Sequence, residues 1–436
     1  MSDTIKNYID FISENKTERE CVKSTIRLAE KAGYRNIEDY ETLRAGDKVY
    51  MPVYGKSIVL FELGTNPIEE GMNILCAHID SPRLDLKMKP LYEKNGVVYL
   101  NTHYYGGIKK YQWVTMPLAI HGVIAKKDGS LIEVRMGEED DESTFAISDI
   151  LPHIAQEQMK KSASEFIPGE SLDLVLALNR EDEKDAGKKA VLDILKERYG
   201  ICEDDFLSAE LEVVPAGKAK YLGLRKDMVI GYGQDDRVCA YTSLEASLEH
   251  DSAKRTCCCL LVDKEEIGSV GATGMNSLLL ENALSELLSR FGGYDAIRAR
   301  RTLRNSYMLS SDVNSALDPL NMELYDEENS SRLGGGIVFN KYTGSGGKSG
   351  ASDANAEYIA KLRKAMDDHG ITFQMADMAK VDVGGGGTIA KFAAWYGMSV
   401  IDSGVSVLSM HAPFEITSTF DIEMAKKAYT AFLDLE

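Results

Sequence analysis

From Cys257 to Val262 the chain places six apolar residues in an unbroken run, and Asp263-Lys264-Glu265-Glu266 follows at once. A short apolar run bounded by charge predicts a strand buried on both faces. The texture recurs at 73–77, 228–231, 307–311 and 399–401. Val53 to Leu63 reads as a hairpin turning at Tyr54-Gly55-Lys56-Ser57. Between such runs the spacing is helical. Ile5, Tyr8, Ile9 and Ile12 open a helical region over 3–33, and Val238, Tyr241, Leu244 and Leu248 form another stripe. Further helices are expected over 276–291, from a cap at Asp353 to His369, over 388–396 and over 422–433. Strands alternating with helices predict an α/β fold.

From about Pro90 the texture changes. Val97–Leu100, Leu118–Ile124, Leu131–Val134 and Leu211–Pro215 are strand-like and separated by polar turns. Two charged stretches, 137–142 and 180–185, read as solvated loops. Residues 91–226 are therefore expected to be an inserted β-rich domain. Residues 1–90 and 227–436 then make one α/β body.

Charge narrows the partners. The 436 residues carry 50 basic and 69 acidic side chains, a formal net charge of −19. That argues against nonspecific nucleic-acid binding and against an anionic membrane surface. The N-terminal residues lack a signal-peptide pattern, and no apolar run approaches the ~20 residues of a membrane span. The seven cysteines include no CxxC pair, and Cys257 to Cys259 are consecutive. They read as small buried hydrophobes in a reducing cytoplasm.

Chemistry gathers where the strands are expected to end. His78 and Asp80, Asp235 and Asp236, Glu265 and Glu266, Asp312, and finally His411 all fall there. In open α/β sheets, ligands collect at strand termini. Imidazoles with carboxylates suit zinc, with manganese or cobalt as alternatives. Each motif alone has an ordinary structural reading. Glu265-Glu266 could be a solvated loop, Asp235 a helix cap, and His78 a satisfied buried histidine. If Glu265 and Glu266 lie on extended backbone, they point opposite ways and can do different work.

His78-Ile79-Asp80-Ser81-Pro82, Gln234-Asp235-Asp236-Arg237, Asp263-Lys264-Glu265-Glu266-Ile267-Gly268-Ser269, Ser310-Ser311-Asp312 and Ser409-Met410-His411 occur in the order found in the M18 aminopeptidases. The chain resembles that family of co-catalytic zinc exopeptidases over its whole length. The resemblance implies a three-layer α/β catalytic domain with a central mixed sheet, plus an inserted dimerisation domain at 91–226. It implies two divalent ions. Asp235 would bridge them, His78 and Asp312 would complete one site, and Glu266 and His411 the other. Glu265 would be the general base and acid, and Asp80 would orient His78. His153, in Leu151-Pro152-His153-Ile154-Ala155, resembles a family histidine that reaches a neighbouring subunit's site. Dimers would assemble into a dodecamer.

Two glycine-rich stretches stand apart. Gly344–Gly350 mimics a phosphate loop, but the required first glycine falls on Tyr342, so the pattern fails. Gly384-Gly385-Gly386-Gly387-Thr388 resembles a family segment lining the substrate, which makes Gly386 and Thr388 candidate substrate contacts. Lys341 is the candidate cation for an acidic first residue. Where some family members carry histidines after the Ser-x-Asp motif, this chain has Ser315 and Asp318. The expected activity is removal of N-terminal residues from peptides, with Asp or Glu as candidate first residues. Its rivals are a di-metal carboxypeptidase or N-acyl amino-acid deacylase, and a catalytically idle assembly protein.

Overall fold

The strands Met72–His78 and Thr256–Val262 are buried along their whole length and run parallel, with Val262 opposite His78. The structure, a computed structural model, describes residues 3–138, 143–181 and 183–436. These two strands sit inside a nine-stranded mixed sheet. Its order is Arg35–Asn36, Lys48–Val53, Ser57–Glu62, Thr256–Val262, Met72–His78, Tyr307–Ser311, Ser399–Gly404, Ile337–Asn340 and Phe373–Met375. The four strands from Thr256–Val262 to Ser399–Gly404 are mutually parallel, so their carboxyl ends share one edge.

Alternation along each strand feeds two apolar layers. Cys257, Cys259 and Leu261 pack in one with Leu75, Ala77 and the helices Asp3–Glu14, Gln234–Glu249, Ala356–Asp368 and Thr419–Leu433. Cys258, Leu260 and Val262 pack in the other with Ile74, Cys76 and the Leu279–Arg290 helix. The result is three layers, helices on both faces of a mixed sheet. The three consecutive cysteines are packing groups, split between the two faces. All seven are free thiols, and Cys202 alone of them is exposed.

Contacts divide the chain into two compact units. The first runs to Asp80, resumes over Ala219–Met410 and closes with Glu415–Glu436; the second is Ser81–Lys218 with His411–Phe414. The expected cut at 90/91 falls inside the continuous strand Arg83–Lys94. The second unit is built on a six-stranded antiparallel sheet ordered Leu131–Met136, Leu118–Ala125, Ala209–Pro215, Arg83–Lys94, Val97–Tyr105 and Leu174–Leu178. Of the two charged stretches expected as loops, residues 139–142 and 182 lie outside the described residues.

Some boundaries moved for local reasons. Asn355, not Asp353, caps the Ala356–Asp368 helix, its side chain accepting the Tyr358 N–H at 2.8 Å. Asp353 instead faces Lys341, with Nζ to Oδ1 at 2.7 Å. The helix expected over 388–396 shortens to Ala390–Ala394. No helix among the described residues is long and apolar enough to cross a membrane.

Candidate active site

His78 is the last residue of its strand, and Asp312 follows Tyr307–Ser311 directly. Parallel pairing therefore delivers an imidazole and a carboxylate to the same sheet edge. Asp235 reaches it from the start of the Gln234–Glu249 helix, where Asp235 and Asp236 depart from helical geometry and their shared peptide bond is cis. His78 Nε2 lies 3.2 Å from Asp235 Oδ1 and 4.0 Å from Asp312 Oδ1. One donor atom from each of the three lies within 4.8 Å of the others.

The imidazole is aimed by its other nitrogen. Nδ1 lies 3.0 Å from the Asp80 backbone oxygen and 3.3 Å from Asp80 Oδ1. A carbonyl can only accept, so Nδ1 donates and Nε2 faces the two acids, the nitrogen that would turn a lone pair to an ion once its proton has left.

Burial and like charge favour the protonated forms of this cluster when no cation is bound. Burial first, then the neighbouring carboxylate of Asp236, pushes Asp312 well above the usual carboxylate range. Asp236 is raised too, by burial and by Asp235, against the pull of His78. Burial lowers the affinity of His78 for its proton, but bonds with Asp235 and Asp80 outweigh it and raise the group well above its ordinary value. Carboxylates this close cannot all ionise in a buried site unless a positive centre joins them. Two carboxylates and an imidazole are a donor set zinc accepts, so the residues present fit a divalent ion.

Glu265 and Glu266 do not lie on extended backbone, so the expectation that they point opposite ways as strand neighbours does not hold. They open a single 3-10 turn, Glu265–Ile267, entered through Lys264 at φ 72° and left through Gly268 at φ 96°. Asp80 caps this turn. Both acids are half-buried.

Asp235 is held in turn by a group that sequence reasoning missed. Glu415, itself buried, accepts the Asp235 backbone N–H at 3.0 Å through Oε2, and its carbonyl accepts from Gln234 Nε2 at 2.5 Å. The signal was slight: one acid after Pro413-Phe414, at the start of the Glu415–Ser418 strand. Gly233, at φ 69°, is required beside it, because a Cβ there would lie 2.0 Å from a nitrogen of the buried Arg237 guanidinium.

The remaining candidates fall in different places. His411 belongs to the short segment grouped with the second unit, and its Nδ1 donates to the Gly107 carbonyl at 2.8 Å. His153 lies in the second unit on the exposed turn Pro152–Ile154. Lys341 is engaged by Asp353. The Gly386 carbonyl accepts the Gly344 N–H at 2.6 Å, and the Thr388 hydroxyl donates to Asp402 at 2.7 Å.

A mixed sheet with helices on both faces, ending in a buried cage of acids and imidazole, is the framework of a metal-dependent hydrolase. The family model for aminopeptidase I zinc metalloproteases (M18) matches residues 11–433, and the chain belongs to that family. A probable M18 family aminopeptidase 1 of Clostridium acetobutylicum is 55% identical, with 100% of this chain and 94% of that protein covered. The crystal structure of an M18-family aminopeptidase from Thermotoga maritima superposes with a TM-score of 0.95 at 41% identity, covering 99% of this chain and 96% of that one. That of aminopeptidase I from Clostridium acetobutylicum gives 0.92 at 53% identity, with 99% and 94% covered. The protein is thus a metal-dependent aminopeptidase of the zinc metalloprotease type.

Proposed function

We propose that the enzyme removes single residues from the free N-termini of peptides, using two divalent ions and Glu265 as the proton carrier. The observation that carries this reading is the His78–Asp235–Asp312 donor set, with Glu265 and Glu266 on a turn fixed by the same Asp80 that aims His78. His78 and Asp312 would serve one ion, Glu266 and His411 the other, and Asp235 both. Bound there, the ions would polarise the peptide carbonyl and bring a water within reach of deprotonation near neutral pH. Glu265 would take the proton from that water and hand it to the departing amine.

An acidic first residue would need a cation. Lys341 and Lys348, which share the carboxylate of Asp353 at 2.7 and 3.4 Å, are the candidates. Gly344, in the same glycine-rich segment as Lys348, bonds to Gly386. His153 would act on a partner copy's substrate. Supporting this, the exposed apolar side chains Leu151 and Ile154 flank it, as suits a surface that a second copy covers. The second unit would then be the dimerisation domain, and a cytoplasmic homo-oligomer the working form. One solved relative of 22% identity is titled a dodecamer of mApe1 from S. cerevesiae.

The test is a panel of aminoacyl anilides, assayed on metal-free protein after adding zinc, manganese or cobalt, beside a peptide and its N-acetylated twin. Hydrolysis of the free-amine peptide alone, fastest with Asp or Glu first, is expected. Preferential cleavage of the acetylated twin would replace this reading with a deacylase. Equal rates with every first residue would remove the preference for acidic ones.

A further inference from the structure

One buried acid has no place in the chemistry above. Asp402 lies in the strand Ser399–Gly404, 3% exposed, between the strand that leads to Asp312 and the strand that leads to Lys341. In register it faces Ser310 on one side and Asn340 on the other. Its Oδ1 accepts the Thr388 hydroxyl at 2.7 Å. The next residue, Ser403, gives its carbonyl to the Asp312 backbone N–H at 3.2 Å.

Thr388 ends the glycine run 384–387, and that run is braced from its other side. Gly344 donates its N–H to Gly386, and a Cβ on Gly385 would lie 1.9 Å from the Gly344 carbonyl oxygen. The two glycine-rich stretches therefore meet backbone to backbone, which only residues without side chains allow. This gives Gly385 a structural reason to be glycine, whereas Gly346, Gly347 and Gly350 have open space where a Cβ would stand. The run carries no strand or helix hydrogen bonds of its own. Hydrogen bonds hold it to Gly344 at one point and, through Thr388, to Asp402 at the other, and the buried Ile389 and Ala390 follow directly.

We infer that Asp402 is a positioning residue for the substrate: through Thr388 it fixes the 384–387 run relative to Asp312. The chemical demand is plain. A peptide lying along bare backbone is held by N–H and C=O groups whose spacing from the metal centre must be set to a fraction of an ångström. An unbuttressed four-glycine run cannot keep that spacing, because glycine has the largest conformational freedom to lose. A buried carboxylate gripping the first side chain after the run supplies the fixed point. Burial also pushes Asp402 up to about 6, against the lowering effect of the Thr388 bond and the nearby Ser310 hydroxyl, as suits a held rather than solvated acid.

This inference rests on the reading that 384–387 faces the substrate, so the experiment separates the two. Thr388→Val keeps the shape and removes the hydroxyl; Thr388→Ser keeps the hydroxyl. Asp402→Asn keeps one acceptor oxygen, and the pair Thr388→Val/Asp402→Asn closes a double-mutant cycle. The metal-loaded enzymes are compared by kcat and KM on a peptide, by metal content, and by amide hydrogen exchange at 384–387. Thr388→Val is expected to lower kcat/KM about ten-fold or more with metal content unchanged. Exchange at 384–387 should quicken, Thr388→Ser should restore most of both, and Asp402→Asn should add nothing once the hydroxyl is gone. Unchanged exchange in Thr388→Val, or losses that simply add in the double variant, would overturn the inference. If Asp402→Asn fails to fold, the valine and serine variants still decide it. Faster exchange with kcat/KM unmoved would overturn it as well, leaving Asp402 a tether of the run with no role toward the substrate.

Discussion

Asp80 holds Glu265 by its backbone: Asp80 Oδ1 accepts the Glu265 N–H at 3.1 Å, and Oδ2 accepts that of Glu266 at 3.2 Å. The same residue takes the His78 Nδ1 proton on its backbone carbonyl. One aspartate thus couples an imidazole of the proposed metal site to the turn bearing the proposed proton carrier. Asp80→Ala keeps the backbone carbonyl but removes the Oδ1 that lies 3.3 Å from His78 Nδ1 and both caps of the turn, so turnover should fall by about 10–100-fold and metal affinity by less. Metal titration followed by kinetics checks this. Loss of turnover at full metal affinity would confine Asp80 to the Glu265 turn.

Glu265→Gln should separate chemistry from metal. The amide keeps the shape of the turn, whose bonds to Asp80 come from the backbone. Melting temperature and metal content should match the parent, while kcat falls by about 10²–10⁴-fold as expected for a lost general base. Hydrolysis at the parent rate would exclude Glu265 from the proton transfer.

Metal loading should release protons. With no ion, His78 keeps its proton above its ordinary range, because Asp235 and Asp80 outweigh burial, and Asp312 is raised by burial and by Asp236. An ion needs the neutral ring and the ionised acid, so affinity should rise with pH until those groups have titrated. Calorimetry at neutral pH in two buffers of different ionisation heat measures the proton count. Equal heats in both would show that the groups are already deprotonated.

Away from the site, Asp421 should make stability fall as pH rises. Burial lifts its carboxyl to about 7, against the N–H groups of Gly334 and Gly336 that it accepts at 2.8 Å each. In the unfolded chain an aspartate titrates near 4. Between about pH 4 and about pH 7 the folded state therefore holds more protons, so the unfolding free energy declines across that window. Asp421→Asn should cost stability through a weakened acceptor yet flatten this slope. Urea denaturation of both proteins at the two ends of the window tests it, and an unchanged slope would exonerate Asp421.

Much of the framework was legible because burial on both faces forces unbroken apolar runs. Cys257–Val262 and the run ending at His78 could be read as strands for that reason, and the charge following each marked its end. The turn at Glu265 was not legible: Lys264 at φ 72° breaks the extended backbone, and the carboxylate that caps the turn lies 185 residues away in sequence. Glu415 and Asp402 were hidden for a related reason. Each is a single acid in or beside a short strand, and neither shows its work until its partner, Asp235 or Thr388, arrives from another element.

Taken alone, the chain's periodicity determined that this protein alternates strands and helices, with acids and imidazoles at the strand ends. Local spacing records only which face of an element is apolar, since side-chain direction repeats with the backbone of that element. Tertiary structure decided which strands stand side by side. Thr256–Val262 enters between Ser57–Glu62 and Met72–His78, antiparallel to one and parallel to the other. That insertion brings Glu265 to Asp80, because hydrogen-bond register between distant segments, and no property of either segment alone, fixes which side chains meet.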